Sequence, residues 1–378
     1  MKIRILAIVV LAVTVLAIGI GAIIFASIQT SESKQTIKIG AIQPLSQRAV
    51  AVGEQVREGV ELAAADINEA GGINGRELQV IYEDDQCDPP KTISSFQKLV
   101  QSDKVPVIIG PVCSSVVLAA APLANEMRVP IITTVASTNQ ITQSGDYVFR
   151  STPAGRDYSN AIADFAIDKL GAQTASTLYI SDPNGADYNS DFVDRFTSRG
   201  GRVISQNVYN NEETDFRSYL AKIKSDNSDV LFIAGQLNHG IAMRQARELG
   251  VKAQFIGPVV LETPEMITQA GEAAEGVVFS APQFDPDAHS IKAFRDNYAR
   301  KYNKTLGFRT VIAYDTVRIV ERIMGQCDID SECIKSGLYA VKDYDGIGGR
   351  YSFDANGDVR MPLMIKTVRN EEFVPYYI

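Results

Sequence analysis

Two short segments carry the residue types that could hold a small polar molecule. In Gly110-Pro111-Val112-Cys113-Ser114-Ser115, an apolar run of Val107, Ile108 and Ile109 ends in a turn that opens a helix. Free backbone N–H groups and serine hydroxyls at such a turn suit a carboxylate or a carbonyl oxygen. A serine N-cap is the competing use, because it satisfies the same orphan amides from within the chain. Thr133, Thr134, Ser137 and Thr138 form a second hydroxyl cluster after the next predicted strand. Hydroxyl clusters at two successive strand ends would line one polar pocket.

Residues for catalysis are harder to find. There is no glycine-lysine phosphate loop and no Gly-x-Ser-x-Gly elbow, and Gly71 to Gly75 follows a helical pattern where a dinucleotide fingerprint would follow a strand. Asp354-Ala355-Asn356-Gly357-Asp358 resembles a calcium loop but has no glutamate at its far end, so it reads as a hairpin turn. Asp182-Pro183-Asn184-Gly185 also carries turn residues and sits after a strand, where a cleft would be. Glu83, Asp84 and Asp85 read as a solvated loop, and no acidic pair is singled out for glycoside hydrolysis. Only two histidines, His239 and His289, are present, which leaves little material for zinc or general-base chemistry. No cofactor, metal or enzymatic activity is expected. The net charge of -8, with no basic cluster, argues against nucleic acid as a partner.

The elements that would position these residues alternate strand and helix. Ile37 to Ile42 reads as a strand and Gly53 to Ala70 as a helix with Val56, Val60, Ala63 and Ile67 on one face. Strands at Leu78, Val105 and Val129 follow, with helices between them. The rhythm restarts near Asp157 and places strands at Ser176, Val203, Val230 and Gln254, with a helix near Asn189 to Ser198. This pattern predicts an α/β fold with helices on both faces of parallel sheets. At 378 residues, two doubly wound lobes suit the chain better than one very large sheet. Ligands then belong beyond the carboxyl ends of the strands.

The first thirty residues stand apart. Lys2 and Arg4 precede an apolar run from Ile5 to about Ile28, long enough to span a bilayer. It reads as an uncleaved anchor, with a cleaved signal as the alternative. Either places the rest of the chain outside the cytoplasm, tethered to the membrane if the run is retained. An even count of four cysteines in an exported chain suggests two disulfides, among three possible pairings.

From Ile37 onward the sequence resembles the periplasmic binding proteins of branched-chain amino acid and amide ABC transporters, which have the type I solute-binding fold. The resemblance rests on Ile39-Gly40-Ala41-Ile42-Gln43-Pro44-Leu45-Ser46, on Ala65-Asp66-Ile67-Asn68-Glu69-Ala70-Gly71-Gly72-Ile73-Asn74-Gly75, and on Val112-Cys113-Ser114-Ser115. Arg244-Gln245-Ala246-Arg247-Glu248-Leu249-Gly250 and Ala313-Tyr314-Asp315 are later landmarks. The resemblance implies two lobes joined by a multi-strand hinge, closing on a small solute that is handed to a membrane permease. Its lobes would be residues 36–152 with about 283–358, and 153–282 with about 359–378, after a signal or anchor and linker over 1–35. It implies a Cys87–Cys113 bridge, and a local Cys327–Cys333 bridge is expected beside it.

The family's binding positions fall on Cys113, Ser114, Val135, Ala136 and Ser137, with the two serine hydroxyls taking the carboxylate of an amino acid. Elsewhere the chain departs from the family. Val52, Asn184 and Gln236 stand where some members have aromatic walls, and Gln47-Arg48 replaces a Gly-Pro. Val259 stands where branched-chain members carry the glutamate that pairs with the ligand ammonium, and Arg309 falls near a position that is often aromatic. A buried ammonium without an anion costs several kcal/mol. Either Glu262 supplies that charge or the ligand lacks an ammonium. Asn184 and Gln236 would suit an amide, and an inward Arg309 a second carboxylate, although a surface or helix-start arginine is equally compatible with its position. The expected function is a transport receptor for a small amino acid-like, amide or carboxylate solute. The alternative is a ligand-sensing ectodomain that acts with a separate signalling partner.

Overall fold

The computed structural model of the protein describes residues 36–47, 49–235 and 238–376. The anchor expected over residues 1–35 and the binding position expected at Gln236 lie outside the described residues. Among the described residues, no helix is long and apolar enough to cross a membrane.

β1 (Ile37–Gln43) is buried on both faces, as its nearly unbroken apolar run requires of a central parallel strand. α1 (Val50–Glu69) buries Val56, Val60, Ala63 and Ile67 along one stripe and ends at Gly71 and Gly72, both at positive φ. β2 (Leu78–Asp84), α2 (Pro89–Gln97), β3 (Ile108–Ile109), α3 (Ser114–Met127), β4 (Ile131–Thr133) and β5 (Val148–Arg150) complete the first unit. Its sheet is wholly parallel, in the order β2-β1-β3-β4-β5.

The second unit repeats the plan. α4 (Gly155–Asp168), β6 (Thr174–Ile180), α5 (Pro183–Ser198), β7 (Arg202–Tyr209), α6 (Arg217–Asp226), β8 (Val230–Ala234), α7 (His239–Glu248), β9 (Gln254–Gly257), α8 (Pro264–Ala270) and β10 (Val278–Pro282) follow one another. The strands run β7-β6-β8-β9-β10 in parallel, the same winding as in the first sheet. Each sheet therefore has a switch in strand order, between β1 and β3 and between β6 and β8.

α9 (Lys292–Tyr302), α10 (Phe308–Cys327) and α11 (Ser331–Ala340) return to the first unit. α10 lies so close along α1 that a Cβ on Gly59 would stand 2.1 Å from the Thr310 carbonyl. β11 (Tyr344–Gly346), β12 (Gly349–Phe353) and β13 (Val359–Arg360) form a small antiparallel sheet, with the expected turn at Asn356-Gly357. β14 (Leu363–Arg369) and β15 (Glu372–Pro375) then add to the second sheet antiparallel to β10 and to each other, so its edge is not parallel. The chain passes between the units after β5, after β10 and after β13. The last two passages lie side by side, with Gln283 N donating to Pro362 O at 2.9 Å.

Several elements differ from the sequence reading. α5 begins at Pro183, six residues before the expected start, because Asp182 caps it by accepting from Gly185 N at 2.7 Å. Asn184 therefore sits on a helix and not in an open turn. α8 and α11 escape the periodicity. α8 is too short to show a period, and α11 buries only Ile334 and Leu338. The disulfides are Cys87–Cys113 and Cys327–Cys333, with Cα separations of 5.7 and 5.4 Å.

Arg150, at the end of β5, is fully buried at the first passage between units. Its Nε and Nη2 donate to Asp358 Oδ1 at 3.0 and 2.7 Å, and Nη2 also reaches Thr142 Oγ1 at 2.9 Å. Nη1 donates to the Ser137 and Thr138 carbonyls at 3.1 and 2.8 Å. Removing the anion strands a buried cation, so Asp358→Ala should destabilise the protein by about 3–5 kcal/mol. Urea unfolding measures this, and a loss no larger than that of a surface substitution would show that the pair is dispensable.

Candidate functional site

The carboxyl ends of strands from both sheets meet around a cavity of about 120 Å³. Val112, Cys113 and Ser114 reach it from the turn between β3 and α3, and Val135, Ala136 and Ser137 from the loop after β4. Asn184 and Tyr188 come from the first turns of α5, Val259, Val260 and Thr263 from the loop after β9, and Thr152 from the first passage. Ala49 and Val52 at the start of α1, with Phe308 and Arg309 at the start of α10, close the remaining side. Gly110 sets the approach of the β3 turn. Its φ is +106°, and a Cβ there would stand 2.2 Å from the Ile42 carbonyl.

The structure thus brings Cys113, Ser114, Val135, Ala136, Ser137, Asn184, Val259 and Arg309 to one cavity. Thr133 and Thr134 do not line it. Both are fully buried, and Thr133 Oγ1 accepts from Ala136 N at 3.1 Å, so that cluster shapes the loop from behind. The sequence does not single out Tyr188. Four residues after Asn184, it shares a face of α5 once the helix starts at Pro183. Nothing in the sequence marks Thr152, which belongs to the site only through the passage between units.

The two serines behave differently. The N-cap of α3 is Cys113 and no side chain caps that helix, so Ser114 is its first residue and does not cap it. The amides of Ser114 and Ser115 precede the helical ladder and have no backbone acceptor among the described residues. Among the described residues, Ser114 Oγ accepts one long bond, 3.4 Å, from Thr138 N and donates none. Ser137 is engaged by the opposite unit. Its Oγ donates to Asn184 Oδ1 at 2.8 Å and shares a 2.7 Å bond with the Tyr188 hydroxyl. Burial pushes the Tyr188 hydroxyl up to about 12, so it stays neutral.

Further bonds cross from the loop after β4 to α5. Thr138 Oγ1 and Asn139 N both donate to Asp187 Oδ2, the latter at 2.8 Å, and Asn139 Nδ2 donates to Asp191 Oδ2 at 2.7 Å. The two units are therefore fastened across the cleft on one side of the cavity.

Residues 36–372 match the periplasmic binding protein family. The chain belongs to that family. It is 26% identical over 341 residues to the Leu/Ile/Val-binding protein of Escherichia coli K12, covering 90% of this chain and 91% of that one. Among solved structures, it resembles the branched-chain amino acid transporter substrate-binding protein of Streptococcus pneumoniae in complex with isoleucine, with 28% identity, a TM-score of 0.82 and coverage of 90% and 98%. It also resembles an ABC transporter solute-binding protein of Rhodopseudomonas palustris in complex with 3,4-dihydroxybenzoic acid, with 27% identity, a TM-score of 0.78 and coverage of 89% and 95%. The fold is the type I periplasmic binding protein fold, and its two units are the lobes.

One charged side chain, Arg309, lies among the described residues of this periplasmic binding protein's cleft. Arg309 is 7% exposed, and Nη1 donates to the Glu262 carbonyl of the other lobe at 3.1 Å. Its guanidinium carbon lies 4.5 Å from the Phe308 ring centre. Burial pushes its pKa down, partly offset by the Glu262 charge, yet a guanidinium stays protonated in any protein environment. Glu262 is committed elsewhere, with Oε1 paired at 2.7 Å to Lys366 Nζ, itself 3% exposed.

The fastening at Asp187 makes a prediction. Asp187→Ala removes the acceptor for two donors, each worth about 1.5–3 kcal/mol to a charged group. The lobes should separate more readily, seen as a larger radius of gyration in small-angle scattering, with solute binding weakened about tenfold or more. An unchanged scattering curve and affinity would show that these bonds do not govern closure.

Proposed function

We infer that the protein is the extracytoplasmic receptor of an ABC transporter, which captures a small carboxylate-bearing solute between its lobes and delivers it to a membrane permease. The observation that carries this reading is the uncapped start of α3, whose first residue, Ser114, lies on the wall of a cavity both lobes share, and whose first amides have no backbone acceptor among the described residues. A helix start of this kind suits an anion, because its amides lack partners and the helix dipole is positive there. Leucine, isoleucine, valine and 3,4-dihydroxybenzoic acid, the solutes named for the similar proteins, have a carboxylate in common. Family membership supports transport, and the absence of a paired nucleophile and base in the sequence supports binding without turnover. The apolar run from Ile5 to Ile28 would be removed on export or would hold the receptor at the membrane.

Isothermal titration calorimetry against branched-chain amino acids, benzoate-type acids and small amides tests the reading, with mass spectrometry to show that bound solute is recovered unchanged. Binding by none of these acids while the protein is folded would overturn it. Recovery of a signalling kinase instead of a permease in cross-linked membranes would favour the sensing role. Ser114→Ala should weaken carboxylate binding about tenfold or more, the equivalent of one hydrogen bond to a charged group, with little change in thermal stability.

A further inference from the structure

We propose that the cleft selects an organic acid that has no ammonium group, matching its negative charge to Arg309 and rejecting zwitterionic amino acids of the same shape. This rests on the reading of the cleft as a carboxylate site and names the class of solute within it.

The charge inventory of the cavity carries the proposal. Among the described residues that line it, Arg309 is charged and no aspartate or glutamate is present. The residues not described between 36 and 376 are Arg48, Gln236 and Leu237, and none of these is an acid. A solute ammonium held here would be buried beside a cation with no counter-ion, which costs several kcal/mol.

Glu262 does not supply the missing anion. Its Oε1 is paired with the buried Lys366, and its Oε2 is sealed, with no hydrogen-bond partner among the described residues. Its carboxylate acts on Arg309 through charge alone, without an ion pair, and the hydrogen bond from Arg309 goes to its main-chain carbonyl. The position aligned with the family's ammonium-pairing glutamate is Val259, which lies on the wall as an apolar surface.

Arg309 is also poorly placed for a purely structural cation. It is the second residue of α10, at the positive end of that helix dipole, where a cation is disfavoured. It makes no ion pair among the described residues, in contrast to Arg150, which is paired with Asp358. A buried cation at a helix start, without a carboxylate partner, on the wall of an otherwise uncharged cavity, calls for an anion from outside the chain. Val52, Val112, Val260 and the Phe308 ring give that anion an apolar body to bury.

The test compares solutes matched in shape by calorimetry on the intact exported chain. Leucine is set against 4-methyl-2-oxopentanoate, and both against benzoate and succinate, which separate one carboxylate from two. Ammonium-free acids should bind at least about thirtyfold more tightly than leucine, given the cost of an unpaired buried charge. Equal or tighter binding of leucine overturns the proposal while leaving the carboxylate receptor intact. Binding of neither leucine nor any ammonium-free acid overturns the receptor reading itself. Arg309→Gln should weaken acid binding about a hundredfold, with Arg309→Lys restoring part of it. If Arg309→Gln lowers the melting temperature but leaves acid affinity unchanged, Arg309 is structural and the proposal fails.

Discussion

The buried guanidinium of Arg150 holds the binding face together. It ends β5, lies at the first passage between the lobes, and is bonded at once to Asp358, to Thr142 and to the carbonyls of Ser137 and Thr138. Those carbonyls belong to the loop whose side chains reach the cavity and α5. A single cation therefore sets the position of that loop relative to the passage about which the lobes must hinge. The arrangement tolerates burial because both components of the desolvation cost are met: an anion is present, and the remaining N–H donors have oxygen partners.

Arg309 is the contrasting case in the same molecule. Both arginines are buried, but Arg150 meets a carboxylate and Arg309 meets a single carbonyl across the cleft. The cavity wall offers the second guanidinium no carboxylate: position 259 is a valine, and the nearby Glu262 is tied to Lys366. On the proposed reading, this difference separates a cation that builds the fold from one left available to a solute.

Much of this was legible in the sequence, and its limits have physical reasons. The alternation of apolar strands with amphipathic helices, the glycine-rich end of α1 and the strand-to-helix turn at Ser114 are local patterns, whereas Val52, Val135, Ala136, Val259 and Arg309 are expected at the cavity only through the family resemblance. The capping alternative for Ser114 failed because capping depends on φ and ψ at Cys113, which residue type alone does not specify. Asp182-Pro183 signals a turn and a helix start equally well, so the sequence alone does not place Asn184 on a helix. The Arg150–Asp358 pair spans 208 residues and leaves no periodic trace, since only the folded topology brings β5 beside the last passage. The burial of Arg309 is likewise a tertiary fact. It accompanies the close packing of α10 on α1, where Gly59 leaves no room for a Cβ beside the Thr310 carbonyl.

The cross-cleft bonds explain how binding and closure become one event. Ser137, Thr138 and Asn139 bond to α5, and Arg309 bonds to Glu262, only when the lobes meet. The bonds from Ser137, Thr138 and Asn139 favour the closed form whether or not solute is present, so they cannot by themselves distinguish a loaded receptor from an empty one. Burial of Arg309 acts in the opposite direction. Closing without an anion leaves a dehydrated cation at the positive end of a helix, whereas closing on a carboxylate pairs it. On the proposed reading, the hydroxyl and amide contacts supply affinity and the unpaired guanidinium opposes empty closure. On that reading, the closed shape reports that the solute is bound.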